Sequence, residues 1–120
     1  MSTKIEKFED LDVWKISVDL SVRIYSIFKT NKDFSFRDQI CRSSVSIPSN
    51  IAEGFERQSN KEYIHFLYIA KGSAGELRTQ LEIAYRIEYV SEKEYTELIE
   101  VARMISSKIY RLIQVRKDNF

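Results

Sequence analysis

Apolar residues recur in steps of three and four along most of the chain. One run passes through Tyr63, Leu67, Ala70, Ala74, Leu77, Leu81 and Ala84, and another through Leu98, Ala102, Ile105, Ile109 and Leu112. Steps of this kind draw one stripe along a helix, the seam of helices that cross at about 20° in a bundle. Polar clusters and capping residues separate the periodic stretches. The pattern predicts four helices, over about 11–29, 36–55, 60–89 and 92–117. Asp10 or Asp12 caps the first, Ser35 the second with Asp38 at its third position, and Ser59 or Asn60 the third. Ser91 with Glu94 opens the fourth as a capping box. Pro48 removes a donor inside the second helix and crowds the turn near Ser44, so a kink is expected there. Connections of a few residues make successive helices antiparallel. The predicted fold is therefore all-α, an antiparallel up-and-down four-helix bundle in one domain over residues 1–120.

The first helix departs from a narrow stripe. At about 100° per residue, Val13, Trp14, Ile16, Val18, Leu20, Ile24, Tyr25, Ile27 and Phe28 spread over an arc of roughly 200°. A surface helix of a monomer needs an arc nearer to about 100°. Either the core contact is oversized, or the surplus packs against another subunit with Trp14 or Tyr25 as anchor. The second reading is preferred. It makes Val13, Trp14, Ile16, Leu20, Ile24, Tyr25 and Ile27 a candidate oligomer interface.

Small residues gather at Ser43, Ser44, Ser46, Ser49 and Ala52, and again at Ala70, Gly72, Ser73, Ala74 and Gly75. A glycine inside a helix costs about 1 kcal/mol relative to alanine. Gly72 and Gly75 are therefore expected where backbones approach closely. A glycine-rich phosphate cradle would need a strand-to-helix turn that this segment lacks.

Composition narrows the class. Three Gly and one Pro in 120 residues are few for a many-turned β fold. Nineteen basic and eighteen acidic residues leave a net charge of +1, so the chain as a whole exerts no pull on nucleic acid or anionic membrane. The single Cys41 has no partner for an intrachain disulfide, which fits a reducing compartment. Residues 1–12 are charged and lack the apolar core of a signal peptide. No run of about 18 apolar residues is present, so no membrane association is expected and a cytoplasmic location is.

Candidate chemistry is sparse. Glu62 and His65 have the spacing used in di-iron bundles, but that site needs two such motifs and the chain has one His. Cys41 and the hydroxyls lack a second histidine to serve as base, so no catalytic residue, metal or cofactor is assigned. The second helix bears a polar stripe of Asp38, Arg42, Ser49, Asn50 and Glu53, which is either a partner-binding strip or intrahelical pairing around Pro48. On the fourth helix, Glu92, Glu94, Glu97 and Glu100 precede Arg103, Lys108, Arg111, Arg116 and Lys117. That polarity complements the helix dipole. Multiplied in an oligomer, the basic half would also form a rim for RNA, DNA or another partner; five copies would gather about 25 positive charges.

The run Arg42-Ser-Ser-Val-Ser-Ile-Pro-Ser-Asn-Ile-Ala-Glu-Gly54 resembles the signature of the four-helix bundle family also called the 23S rRNA intervening-sequence protein family. Phe66-Leu-Tyr-Ile-Ala70 with Gly72-Ser73 and Glu76-Leu77-x-Thr79-Gln80-Leu81 is similar to its third-helix motif, and Phe8-Glu-Asp-Leu-Asp-Val-Trp14 to its opening. The resemblance implies a bacterial helical bundle without assigned activity. A related branch, the accessory proteins of diversity-generating retroelements, forms pentamers that bind a reverse transcriptase and nucleic acid, so a pentamer is the implied oligomer. The expectation is a non-enzymatic homo-oligomeric scaffold that binds RNA, DNA or a nucleic-acid-processing protein. A purely structural protein–protein module is the alternative, and a metal-dependent enzyme the remaining one.

Overall fold

Three of the four helices begin where a side chain receives the first free amides. Ser59 Oγ accepts from the Glu62 amide at 3.1 Å. Ser91 Oγ accepts from the Glu94 amide at 3.1 Å while Glu94 Oε1 accepts from the Ser91 amide at 2.9 Å, closing a capping box. Asp33 Oδ1 accepts from the Phe36 amide at 3.2 Å, so the second helix starts at Phe34 and not after Ser35 as expected. The carboxylate two residues earlier reaches the same orphan amides that the hydroxyl would have served. The structure, a computed structural model, describes residues 4–120, so residues 1–3 of the charged opening segment lie outside it.

A single 3-10 turn, Phe8–Asp10, leads into α1 (Asp12–Phe28), followed by α2 (Phe34–Phe55), α3 (Asn60–Arg86) and α4 (Glu92–Asn119). Asp10 serves the turn and not α1: its Oδ2 accepts from the Glu6 and Lys7 amides at 3.0 and 3.2 Å. Pro48 is buried inside α2, and the helix continues through it to Phe55. Helix α3 ends earlier than its periodicity implies. Glu88 adopts φ 66°, and the Tyr89 amide turns back to Ala84 O at 2.8 Å, satisfying a terminal carbonyl.

Each helix packs on its two neighbours and none crosses the diagonal. Partner numbers fall on one helix as they rise on the next. Between α1 and α2 the contacts are Phe28–Phe36 at 5.9 Å and Ser21–Ser44 at 3.1 Å. Between α2 and α3 they include Ser46–Ser73 at 2.8 Å and Phe55–Tyr63 at 5.9 Å. Between α3 and α4, Glu82 meets Tyr95 at 2.7 Å and Tyr68 meets Lys117 at 2.7 Å. Between α1 and α4, Asp12 pairs with Lys108 at 2.8 Å, and Arg23 with Glu97.

The core is the expected seam with one shift. Tyr63, Leu67, Ala70, Ala74, Leu77, Leu81 and Ala84 are buried on α3, and Leu98, Ala102, Ile105 and Ile109 on α4. The α4 stripe then continues to Ile113, while Leu112 packs at its edge. A step of four after Ile109 keeps the side chain on the inner face over the last turns. Serines Ser17, Ser21, Ser43 and Ser44 are buried in the α1–α2 half, each with its hydroxyl hydrogen-bonded, which lets these backbones approach.

The close glycine contact lies elsewhere than expected. A Cβ built at Gly54 would stand 2.9 Å from Phe66 Cβ and 3.1 Å from the Tyr63 ring, whereas one at Gly72 would meet nothing and one at Gly75 only the tip of Arg78. Gly54 is where α2 and α3 pinch together; Gly72 faces open space.

Candidate functional site

The bundle itself takes up most of the apolar arc of α1. Val13, Leu20 and Ile24 are in the core, and Trp14, Ile16 and Ile27 are half-buried against it. Trp14 is claimed by the opening segment: its ring lies 5.4 Å from Phe8, which in turn edges onto Phe55 at 6.5 Å. The short segment before α1 thus covers surface that periodicity had left over. Of the seven residues expected at a subunit interface, Tyr25 alone is exposed, at 51 %. Beside it stands Val22, 65 % exposed, which the arc did not include. Together with Val45 of α2 they border a groove between α1 and α2, with Phe28 and Cys41 in its lining. Lys29, Arg37, Asp38 and Arg42 are its charged residues.

The five cations of α4 separate into different environments. Lys108 faces α1 and pairs with Asp12. Arg116 donates from Nε to Asn60 Oδ1 at 2.7 Å, and its guanidinium lies 4.8 Å from the Tyr63 ring and 3.6 Å from the Phe120 ring. Lys117 donates to the Tyr68 hydroxyl, a bond that raises its pKa above the ordinary lysine value. Arg103 and Arg111 remain, both opening onto the seam between α3 and α4. The basic half of α4 is thus not one rim: three of its cations tie helices together at the end of the bundle and two face a groove.

The polar stripe of α2 is mostly engaged locally. Glu53 pairs with Arg57 at 3.2 Å, Asp38 with Arg37 at 3.6 Å, and Asn50 Nδ2 donates to Ser46 O at 2.8 Å beside Pro48. Arg42 opens onto the α1–α2 groove and Ser49 is exposed. Glu62 and His65 are exposed near the start of α3, away from the core. Among the described residues, no three His, Cys, Asp or Glu side chains gather as a metal site would require. Cys41 is buried, and burial pushes its thiol pKa up, the opposite of what a nucleophile needs.

The α3–α4 seam joins Arg103 and Arg111 to α3 cations that were not singled out from the sequence. Arg78 and Arg86 of α3 and Arg103 of α4 line one hollow with Gly75, Glu82 and Tyr95. Lys71 of α3 and Arg111 of α4 line a second, with Ser106, Ser107, Tyr110 and Gln114. Glu82 is the one acid lining either. Tyr95 donates to it at 2.7 Å and Arg86 at 2.9 Å, and these bonds, Tyr95 first, hold its carboxyl below the ordinary value. Tyr95 also stacks on Tyr85 at 4.7 Å. The signal in the sequence was Lys71, Arg78 and Arg86 at steps of seven and eight, a helical face that apolar counting passes over.

No helix among the described residues is long and apolar enough to cross a membrane. No match is found among curated proteins. Among solved structures, the chain is similar to a protein of unknown function from the S23 ribosomal protein family of Bacteroides thetaiotaomicron VPI-5482. The two share 32 % identity and a TM-score of 0.81, over 85 % of this chain and 95 % of that one. The 23S rRNA-intervening sequence protein model matches residues 9–111, which contain the whole of α1 to α3 and, except for Phe8, the three motif blocks, and the chain belongs to that family.

Proposed function

We propose that the chain is a non-catalytic helical scaffold whose copies assemble through the α1–α2 face. The observation that carries this reading is the adjacency of Val22, Tyr25 and Val45, exposed at 65 %, 51 % and 38 %, around a groove of about 970 Å³. Apolar groups of this size grouped on one face are favourable to cover. Charge favours a second copy as the cover. Lys29, Arg37 and Arg42 outnumber Asp38 around the groove, while α4 from Glu92 to Glu100 carries four glutamates against one Lys93, with Glu97 paired to Arg23 and Glu94 capping Ser91 within the chain. Joining two different patches is a head-to-tail contact, which closes into a ring when the rotation permits. The family resemblance points to five copies. One exposed His65 and a buried Cys41, whose thiol pKa burial raises, form no nucleophile–base pair, which favours a binding role.

Sedimentation velocity of the full chain at tens of micromolar tests the reading. The native chain is expected to sediment as a multimer, and Val22→Glu with Tyr25→Glu as a single copy with unchanged helical circular dichroism. A native chain that sediments as one compact copy would overturn it.

A further inference from the structure

Among the described residues, two buried side-chain polar atoms make no hydrogen bond, Arg78 Nε and Ser106 Oγ. Buried polar atoms are satisfied in the great majority of cases, and each exception asks for a reason. Both lie in the same seam: Arg78 lines the upper hollow between α3 and α4, and Ser106 the lower. The hollows are successive stretches of one groove, because Lys71 and Gly75 are one turn apart on α3 and Arg103 and Ser107 one turn apart on α4.

Lys71, Arg78, Arg86, Arg103 and Arg111 line this groove against the single acid Glu82, already held by Tyr95 and Arg86. The exposed Glu76 and Glu100 stand on the same helices but line neither hollow. A chain of net charge +1 thus concentrates an uncompensated positive track in one place. From Lys71 to Arg86 the track spans about 22 Å, at about 1.5 Å per helical residue. Tyr110, 54 % exposed, lines the lower stretch, and Tyr68, 44 % exposed, stands at the Lys117 end. Helices in contact lie about 8–10 Å apart, so the groove between them is a strand's width and not a duplex's.

We infer that the α3–α4 groove binds a single strand of nucleic acid, its phosphates on Lys71, Arg78, Arg103 and Arg111 and a base stacked on Tyr110. Positive charge along a groove with interspersed aromatic faces is the arrangement that holds single strands without sequence preference. The guanidinium groups of Arg78, Arg103 and Arg111, which line the groove, suit phosphate oxygens, which are acceptors only. The groove is formed by α3 and α4 of one copy, so the inference does not rest on self-assembly.

Fluorescence anisotropy of the full chain with a labelled strand of about twelve nucleotides tests it, with RNA and DNA as separate arms. Binding of either strand is expected at low salt. With four phosphates neutralised at about 0.7 ions each, affinity should fall roughly 50-fold between about 50 and about 200 mM salt. Lys71→Glu with Arg103→Glu should weaken binding at least ~10-fold, and Tyr110→Ala about 10-fold, with helical circular dichroism retained. Lys15→Glu with Lys32→Glu, the same change in net charge on other surfaces, should stay within about two-fold. The inference is overturned by absence of binding at low salt or by equal loss in both charge-reversed pairs. Duplex binding as tight as that of a single strand, or displacement by polyglutamate as effective as by an unlabelled strand of equal charge, overturns it too.

Discussion

The Tyr89 hydroxyl donates to Asp33 Oδ2 at 2.6 Å, joining the residue that caps α2 to the turn that ends α3. One carboxylate thus holds two chain ends, its other oxygen receiving the Phe36 amide. The bond lowers the pKa of Asp33, Tyr89 being the largest cause and the Phe36 amide the next, and raises that of Tyr89. For the carboxyl, a folded value below its ordinary 3.8 gives stability that is present above pH 3.8 and lost as pH falls through the folded value. For the phenol, a folded value above 10.0 gives stability present below pH 10 and lost as pH rises through it.

Tyr89→Phe removes the phenol's titration and the largest cause of the Asp33 shift, leaving the Phe36 amide bond, and keeps the ring that edges onto Phe36 at 5.5 Å. The variant should be less stable at neutral pH, and its stability should fall less steeply on the acid side than that of the native chain. The Asp33 carboxyl, followed by NMR titration, should move back up towards 3.8. An unmoved titration curve would show that the hydrogen bond is not formed in solution.

Glu88 offers a stabilising change at the same corner. It is the one non-glycine residue with positive φ among those described, at 66°. The left-handed region costs a residue with a Cβ about 1–2 kcal/mol, and glycine little of that. Glu88→Gly should therefore raise unfolding free energy by about 1 kcal/mol, read by urea denaturation. A fall in stability would mean that the α3 terminus does not turn in this way.

The single Ser43 hydroxyl hydrogen is shared between Gln80 Oε1 and Ile40 O inside the α2–α3 interface, where both side chains are buried. Ser43→Ala strands the glutamine amide and should cost about 1–3 kcal/mol. Ser43→Ala with Gln80→Leu removes both partners and should recover most of that loss. A double variant as unstable as the sum of the two single ones would show that the pair is not coupled.

Much of this architecture is written in local chemistry. The seam from Tyr63 to Ala84 and the Ser91–Glu94 box are visible because helix periodicity and capping act within a few residues. What escaped depends on contacts between distant segments. Trp14 reads as surplus on a wheel because the wheel does not contain Phe8, which packs on it and is itself held against Phe55. Arg116 reads as a free cation because Asn60, Tyr63 and Phe120 meet it only after folding. Lys71, Arg78 and Arg86 read as a solvated face until α4 adds Arg103 and Arg111 opposite. A surface shared by two helices has no signature in either alone.

The glycines make the same point in a measurable way. At Gly54 an added methyl must enter a gap bounded by Phe66 Cβ at 2.9 Å and Tyr63 O at 3.1 Å, and a backbone carbonyl does not swing aside. Overpacking of that kind costs about 1–3 kcal/mol or more, against about 1 kcal/mol gained in helix propensity. Gly54→Ala should leave the bundle destabilised by about 1 kcal/mol, most of it in the α2–α3 contact. At Gly72 nothing lies within 4 Å, so the propensity gain stands alone. Gly72→Ala should stabilise by about 1 kcal/mol and raise the thermal midpoint by about 4 °C. Calorimetry of the two variants side by side decides the matter. Opposite signs place the pinch between α2 and α3 at Gly54, and a matching rise in both would remove it from there.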